Sequence, residues 1–159
     1  MKIDAIENLP KHKIIEFFKL HWGCPEMVIS SGVYDCSTLD GFTVINEEDE
    51  IIGLITYIIK DNECEIISLD SIEEGKGIGS SLVQEVESLA IKKKCRLLKL
   101  ITTNDNLLAL RFYQKRGFML SKILINAVQK ARKLKPEIPL IGNDGIPIRD
   151  EIELIKKLN

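Results

Sequence analysis

Apolar and polar positions change their period several times along the chain, and each change marks an element. In Lys11 to Leu20 the apolar residues Ile14, Ile15, Phe17 and Phe18 share one helical side, and Gly23 with Pro25 stops that helix. Gly41 to Asn46 and Ile51 to Ile59 flank the acidic turn Glu47-Glu48-Asp49-Glu50, which predicts a β-hairpin. A third strand runs from about Cys64 to Leu69, after the polar turn Lys60-Asp61-Asn62. Further on, Leu82, Val83, Val86, Leu89 and Ala90 form one helical stripe, closed by Lys92-Lys93-Lys94 against the helix's negative end. Leu97 to Ile101 is nearly continuous in apolar residues and reads as a strand buried on both faces, parallel to the strand before the helix, with a right-handed crossover. A second helix follows from about Asn106 to Gly117, a residue that suits a left-handed C-cap, and Phe118 enters another strand. Near the C-terminus, Asn126 to Leu134 reads as a helix, Pro136 and Pro139 break it, and Asn143-Asp144-Gly145 is a turn before a last strand at Glu151 to Ile155. The expected fold is α/β with a mixed sheet, in which an antiparallel meander leads into a β-loop-α-β unit.

Composition narrows the function classes. At 159 residues, 45% hydrophobic and 29% charged, the chain fits one globular domain over 1–159, with its core at about 41–118 and residues 119–159 completing the sheet and an acceptor site. A net charge of −2 argues against a dedicated nucleic-acid binder. No apolar run approaches the roughly 20 residues of a membrane span, and the charged N-terminus does not resemble a signal peptide, so a cytoplasmic protein without membrane association is expected. Cys24, Cys36, Cys64 and Cys95 show no Cys-x-x-Cys spacing and have only His12 and His21 as companions, so reduced structural thiols are expected and no metal.

The segment Glu74-Gly75-Lys76-Gly77-Ile78-Gly79-Ser80 lies between a strand and an amphipathic helix. Alternating glycines let the backbone turn several N–H groups toward one point, and the helix start adds positive potential, an arrangement suited to a pyrophosphate. A dinucleotide fingerprint would need a third glycine where Ser80 stands, and the upstream hairpin contradicts a βαβ start; the NTPase loop would need Gly-Lys-Ser/Thr.

A second motif, Asn106-Leu107-Leu108-Ala109-Leu110-Arg111-Phe112-Tyr113-Gln114-Lys115-Arg116-Gly117-Phe118, follows in order. With both motifs the chain resembles the GCN5-related N-acetyltransferase superfamily. That family's acyl-CoA loop, Gln/Arg-x-x-Gly-x-Gly/Ala, falls on Glu74 to Gly79, with a glutamate in place of the first residue, and its later motif is matched by Asn106, Ala109, Phe112, Tyr113, Gly117 and Phe118. The resemblance implies an acetyltransferase that moves acetyl from acetyl-CoA to a primary amine by direct attack, and a possible homodimer. It is firm from about Gly41 to Phe118.

Freeing the lone pair of an alkylammonium of pKa about 10.4 at neutral pH costs roughly 4.6 kcal/mol, so a base is useful. The resemblance points to Glu65 on the strand before the loop, with Glu63 and Asp70 as competitors; a partly buried carboxylate suits the task best. The resemblance further implies that Tyr113 donates to the leaving thiolate, that Asn106 contacts the pantetheine arm, and that a backbone N–H among Leu69, Asp70 and Ser71 faces the thioester oxygen. Asn106 also suits an N-cap. Lys76 and Arg111 are candidate phosphate contacts, although Arg111 and the run Lys130, Arg132, Lys133 and Lys135 read more simply as solvated. Asp150, Glu151 and Glu153 are read as amine-recognising or, more simply, as edge-solubilising residues; His21-Trp22-Gly23 is a candidate acceptor wall. The other readings are a non-catalytic acyl-CoA-binding module and a dinucleotide-dependent enzyme.

Overall fold

The computed structural model describes residues 2–73 and 75–158; Glu74 of the glycine loop lies outside the described residues. Two compact units divide the chain: 2–26, 35–98 and 158 in the first, and 27–34 with 99–157 in the second.

In the first unit four strands, β1 (Lys2–Ala5), β4 (Asp40–Ile45), β5 (Ile51–Lys60) and β6 (Glu63–Ser71), run antiparallel in the order β1-β4-β5-β6. The β5–β6 turn carries positive φ at Asp61 and Asn62, the geometry that two-residue hairpins favour. Helix α1 (Lys11–Trp22) buries Ile14, Phe17 and Phe18 and stops at Gly23, whose φ of 84° few side chains tolerate. Helix α2 (Ile78–Lys92) buries Ile78, Leu82, Val83, Val86 and Ala90 against β4, β5 and β6, each fully buried aliphatic side chain contributing about 1.5–3 kcal/mol. Its first turn comes so close to β5 that a Cβ on Gly53 would sit 2.4 Å from Ile78 Cγ2, which fixes where the glycine loop leaves the sheet.

The second unit holds the hairpin of β2 (Glu26–Ile29) and β3 (Gly32–Asp35), and strands in the order β7-β9-β8: β7 (Leu97–Thr103, from Lys99 on), β8 (Met119–Leu124) and β9 (Glu151–Lys157). Helices α3 (Leu107–Lys115) and α4 (Ala127–Leu134) complete it.

Three sequence expectations are corrected. Strand β7 alternates buried Leu98 and Leu100 with half-buried neighbours, so it is not enclosed on both faces. Asp150 and Glu151 are neither edge-solubilising nor displayed for an amine; both are buried, because backbone donors claim them. Arg132 is not simply solvated: its guanidinium donates to the carbonyls of Ile138, Pro139 and Ile148, which holds the chain after α4. The hairpin β2–β3 and strand β1 lacked a periodic signal strong enough to be read.

Candidate active site

The glycine loop bends where the sequence placed it. Gly75 and Gly77 have φ of 77° and 71°, and a Cβ on either would meet no atom within 4 Å, so conformation rather than space demands glycine there. Gly77 occupies the cap position of α2 without a side chain closing the helix start. The first turn of α2, from Ile78, thus follows a glycine at the cap position, and a helix N-terminus behind such a loop is the arrangement that binds pyrophosphate oxygens. Gly75, Lys76 and Gly77 are exposed, and Lys76 Nζ pairs with Glu73 Oε2 at 2.7 Å. Ser71 Oγ donates to the Glu73 carbonyl at 3.2 Å and steadies the approach.

Strand β6 brings its acids together in a way that simple alternation does not foresee. Residues 65 and 70 would face opposite sides of a regular strand. The register, however, pairs Glu65 with Ile58, Ser68 with Thr56 and Asp70 with Leu54, and the step between Thr56 and Tyr57 leaves Ile67 as a bulge. Partners directly opposite share a face, so Glu65, Ser68 and Asp70 all lie on the side of Leu54, Thr56 and Ile58. This face is polar although it is buried: Thr56 Oγ1 and Ser68 Oγ are 2.6 Å apart, and Glu65 is only 4% exposed. Glu63 pairs with Arg96 near the turn.

Asp70 is the unusual group of the face. Trp22, the last residue of α1, donates its indole N–H to Asp70 Oδ1 at 3.0 Å. The other oxygen, Oδ2, is buried and is the one such side-chain atom among the described residues with no hydrogen-bond partner. Burial pushes the Asp70 carboxyl above its ordinary range, while the Trp22 hydrogen bond and the charge of His21 pull the other way. No sequence signal announced this pair, because Trp22 and Asp70 are 48 positions apart.

The later motif folds within the second unit. Asn106 caps α3 by accepting from the Ala109 amide at 3.1 Å. Tyr113 is buried, with Phe112 and Phe118 ring centroids at 5.0 and 5.3 Å, and Arg116 stacks on the Phe112 ring at 3.7 Å. Gly117 has φ of 94° after the helix end, and Arg111 is exposed.

Burial raises the Cys36 thiol to about 11 and the Cys64 thiol to about 12, and it lifts Cys95 as well. Such thiols remain protonated at neutral pH and make poor nucleophiles. No helix among the described residues is long and apolar enough to cross a membrane.

The chain is 53% identical over 158 residues to the uncharacterized protein YxbD of Bacillus subtilis (strain 168), covering 99% of each chain. Its fold matches the IAA acetyltransferase of Bacillus cereus ATCC 14579 with a TM-score of 0.75 at 22% identity, over 98% of both chains. A GNAT family acetyltransferase from Elizabethkingia anophelis, solved with acetyl-CoA bound, matches with a TM-score of 0.66 at 26% identity, over 76% of this chain and 77% of that one. The description of the Acetyltransferase (GNAT) family matches residues 13–118, two thirds of the chain and both of its motifs, and the protein belongs to that family.

Proposed function

We propose that this chain is an N-acetyltransferase that moves the acetyl group of acetyl-CoA to a primary amine. The observation that carries the reading is the start of α2 at a glycine cap, with Gly75 and Gly77 left-handed before it, following a strand that carries Glu65 and Asp70 on one face. A relative of the same fold binds acetyl-CoA, which supports the same donor here. Backbone amides from Gly75 to Ser80 take the pyrophosphate, with Lys76 beside them, and the buried Ile78 anchors the helix start in the core.

The amine nitrogen attacks the thioester carbon, the C–N bond forms, and the C–S bond breaks as the thiolate leaves. A carboxylate of β6 takes the amine proton; Glu65 and Asp70 are the two on the buried face, and the family resemblance points to Glu65. A backbone N–H among Leu69, Asp70 and Ser71 stabilises the developing oxyanion. Tyr113 returns a proton to the thiolate, while Asn106, Ala109 and Phe112 serve the pantetheine arm.

Turnover of acetyl-CoA against a panel of primary amines, amino acids, peptides and aminoglycosides tests this. Amine-dependent release of CoA thiol, with one acetyl group gained by the amine, is the expected result. Acetyl-CoA binding without transfer to any member of the panel would instead favour a non-catalytic acyl-CoA-binding module.

A further inference from the structure

We infer that the Trp22–Asp70 pair is where the acceptor's ammonium docks and loses its proton, Asp70 being the catalytic carboxylate and Trp22 the residue that positions it. The inference rests on the acetyltransferase reading, and it chooses between the two acids of β6. A buried carboxylate oxygen without a donor is costly, and natural folds rarely keep one without a use. Asp70 Oδ1 is held by the Trp22 indole, which fixes the plane of the carboxylate and leaves Oδ2 as the basic atom. An ammonium supplies the missing N–H donor and the opposite charge in one group.

The surroundings specify the rest of the acceptor. Asp70 and Trp22 are each half-buried rather than enclosed. Trp22 packs edge-on against the buried Phe18 at 4.9 Å, which holds its half-buried ring in place, so the aromatic surface next to the carboxylate is that of Trp22 itself. That combination fits an amine whose ammonium is carried close to an apolar or aromatic body. The titratable groups facing Asp70 are His21 of α1, Cys36 of the turn at Cys36–Thr38, and Glu65 on its own strand face. In the transfer one ammonium proton passes to Asp70 Oδ2 and on to solvent, and the freed lone pair forms the C–N bond with the thioester carbon. The recharged Asp70 carboxylate takes the second N–H proton as the C–S bond breaks with its electrons on the thiolate, which Tyr113 protonates; Asp70 then releases that proton to solvent.

Trp22 is the only tryptophan, so its fluorescence reads this pair directly. In the parent, emission should titrate with a midpoint above the ordinary aspartate range, and 2-phenylethylamine should perturb it while the uncharged 2-phenylethanol does not; Asp70→Asn should abolish both responses. With a turned-over amine, Asp70→Asn should lower kcat/KM at least about 100-fold with acetyl-CoA affinity kept, a larger loss than Glu65→Gln causes. Trp22→Phe keeps the ring but removes the donor, so it should lower kcat/KM several-fold and move the acid limb of the pH profile upward. Turnover by Asp70→Asn close to that of the parent, or loss confined to Glu65→Gln, would overturn the assignment, as would an amine response of Trp22 that survives Asp70→Asn. A parent that binds no acetyl-CoA would defeat the acetyltransferase reading instead, and the amine response of Trp22 would then still decide whether Asp70 is an ammonium site.

Discussion

In the first unit Asp70 receives one hydrogen bond, from Trp22, and keeps a buried oxygen without any. In the second unit Asp105 accepts from Thr103 Oγ1 at 2.5 Å and from the Asn143 amide at 3.0 Å, Asp150 accepts from the Asn126 amide at 2.8 Å and pairs with Arg149, and Glu151 accepts from the amide and hydroxyl of Ser30. All of these carboxylates are wholly or largely buried, but only Asp70 keeps a buried oxygen without a donor. Acids saturated by backbone amides act as staples, since their charge is satisfied internally and has little left to offer a ligand. An acid left half satisfied raises the energy of the unliganded fold and is available to a cation.

The largest consequence for stability falls on the staples. Asp105→Ala strands the Asn143 amide and frees the turn at Asn143–Gly145, so chemical denaturation should show a loss of roughly 2–3 kcal/mol. Gly142→Ala attacks the same point sterically, because its Cβ would lie 2.0 Å from Asp105 Oδ2, and should cost roughly 1–3 kcal/mol. Either variant unfolding like the parent would remove Asp105 as a staple.

Asp70 predicts the opposite sign. Its raised carboxyl binds its proton more tightly in the folded than in the unfolded chain, so its contribution falls as pH rises from the ordinary 3.8 through the raised folded value. Asp70→Asn should therefore unfold at a temperature equal to or above the parent's at neutral pH, with the gain vanishing below that window. Asp150 is held below its ordinary 3.8 by Arg149 and the Asn126 amide, so its contribution is present above 3.8 and is lost as pH falls through its folded value. Matched pH series of thermal melts would expose the two signs. Destabilisation by Asp70→Asn at neutral pH would make Asp70 a staple too.

How far the sequence disclosed these two regions follows from the range of the forces involved. The glycine loop, the α2 stripe and the Asn106 cap were legible because local conformation and helical period fix them: Gly77 has positive φ, Val83 and Val86 are buried, and Asn106 accepts from Ala109. The bulge at Ile67 was not legible, since nothing in Glu65-Ile66-Ile67-Ser68 marks an extra residue, yet it alone brings Glu65 and Asp70 to one face. Asp150, Glu151 and Arg132 read as surface charges because their partners, Asn126, Ser30 and the carbonyls of Ile138, Pro139 and Ile148, are set by tertiary contacts.

Calorimetric titration of the purified protein with acetyl-CoA, repeated on Gly77→Glu, is the most direct test of the function proposed. The substitution puts a carboxylate at the helix start and a side chain at a φ of 71°. Binding by the parent that is abolished in the variant, with the helical circular dichroism of both unchanged, is the predicted result. No binding by the parent, or equal binding by the variant, would contradict the assignment of this loop to acetyl-CoA.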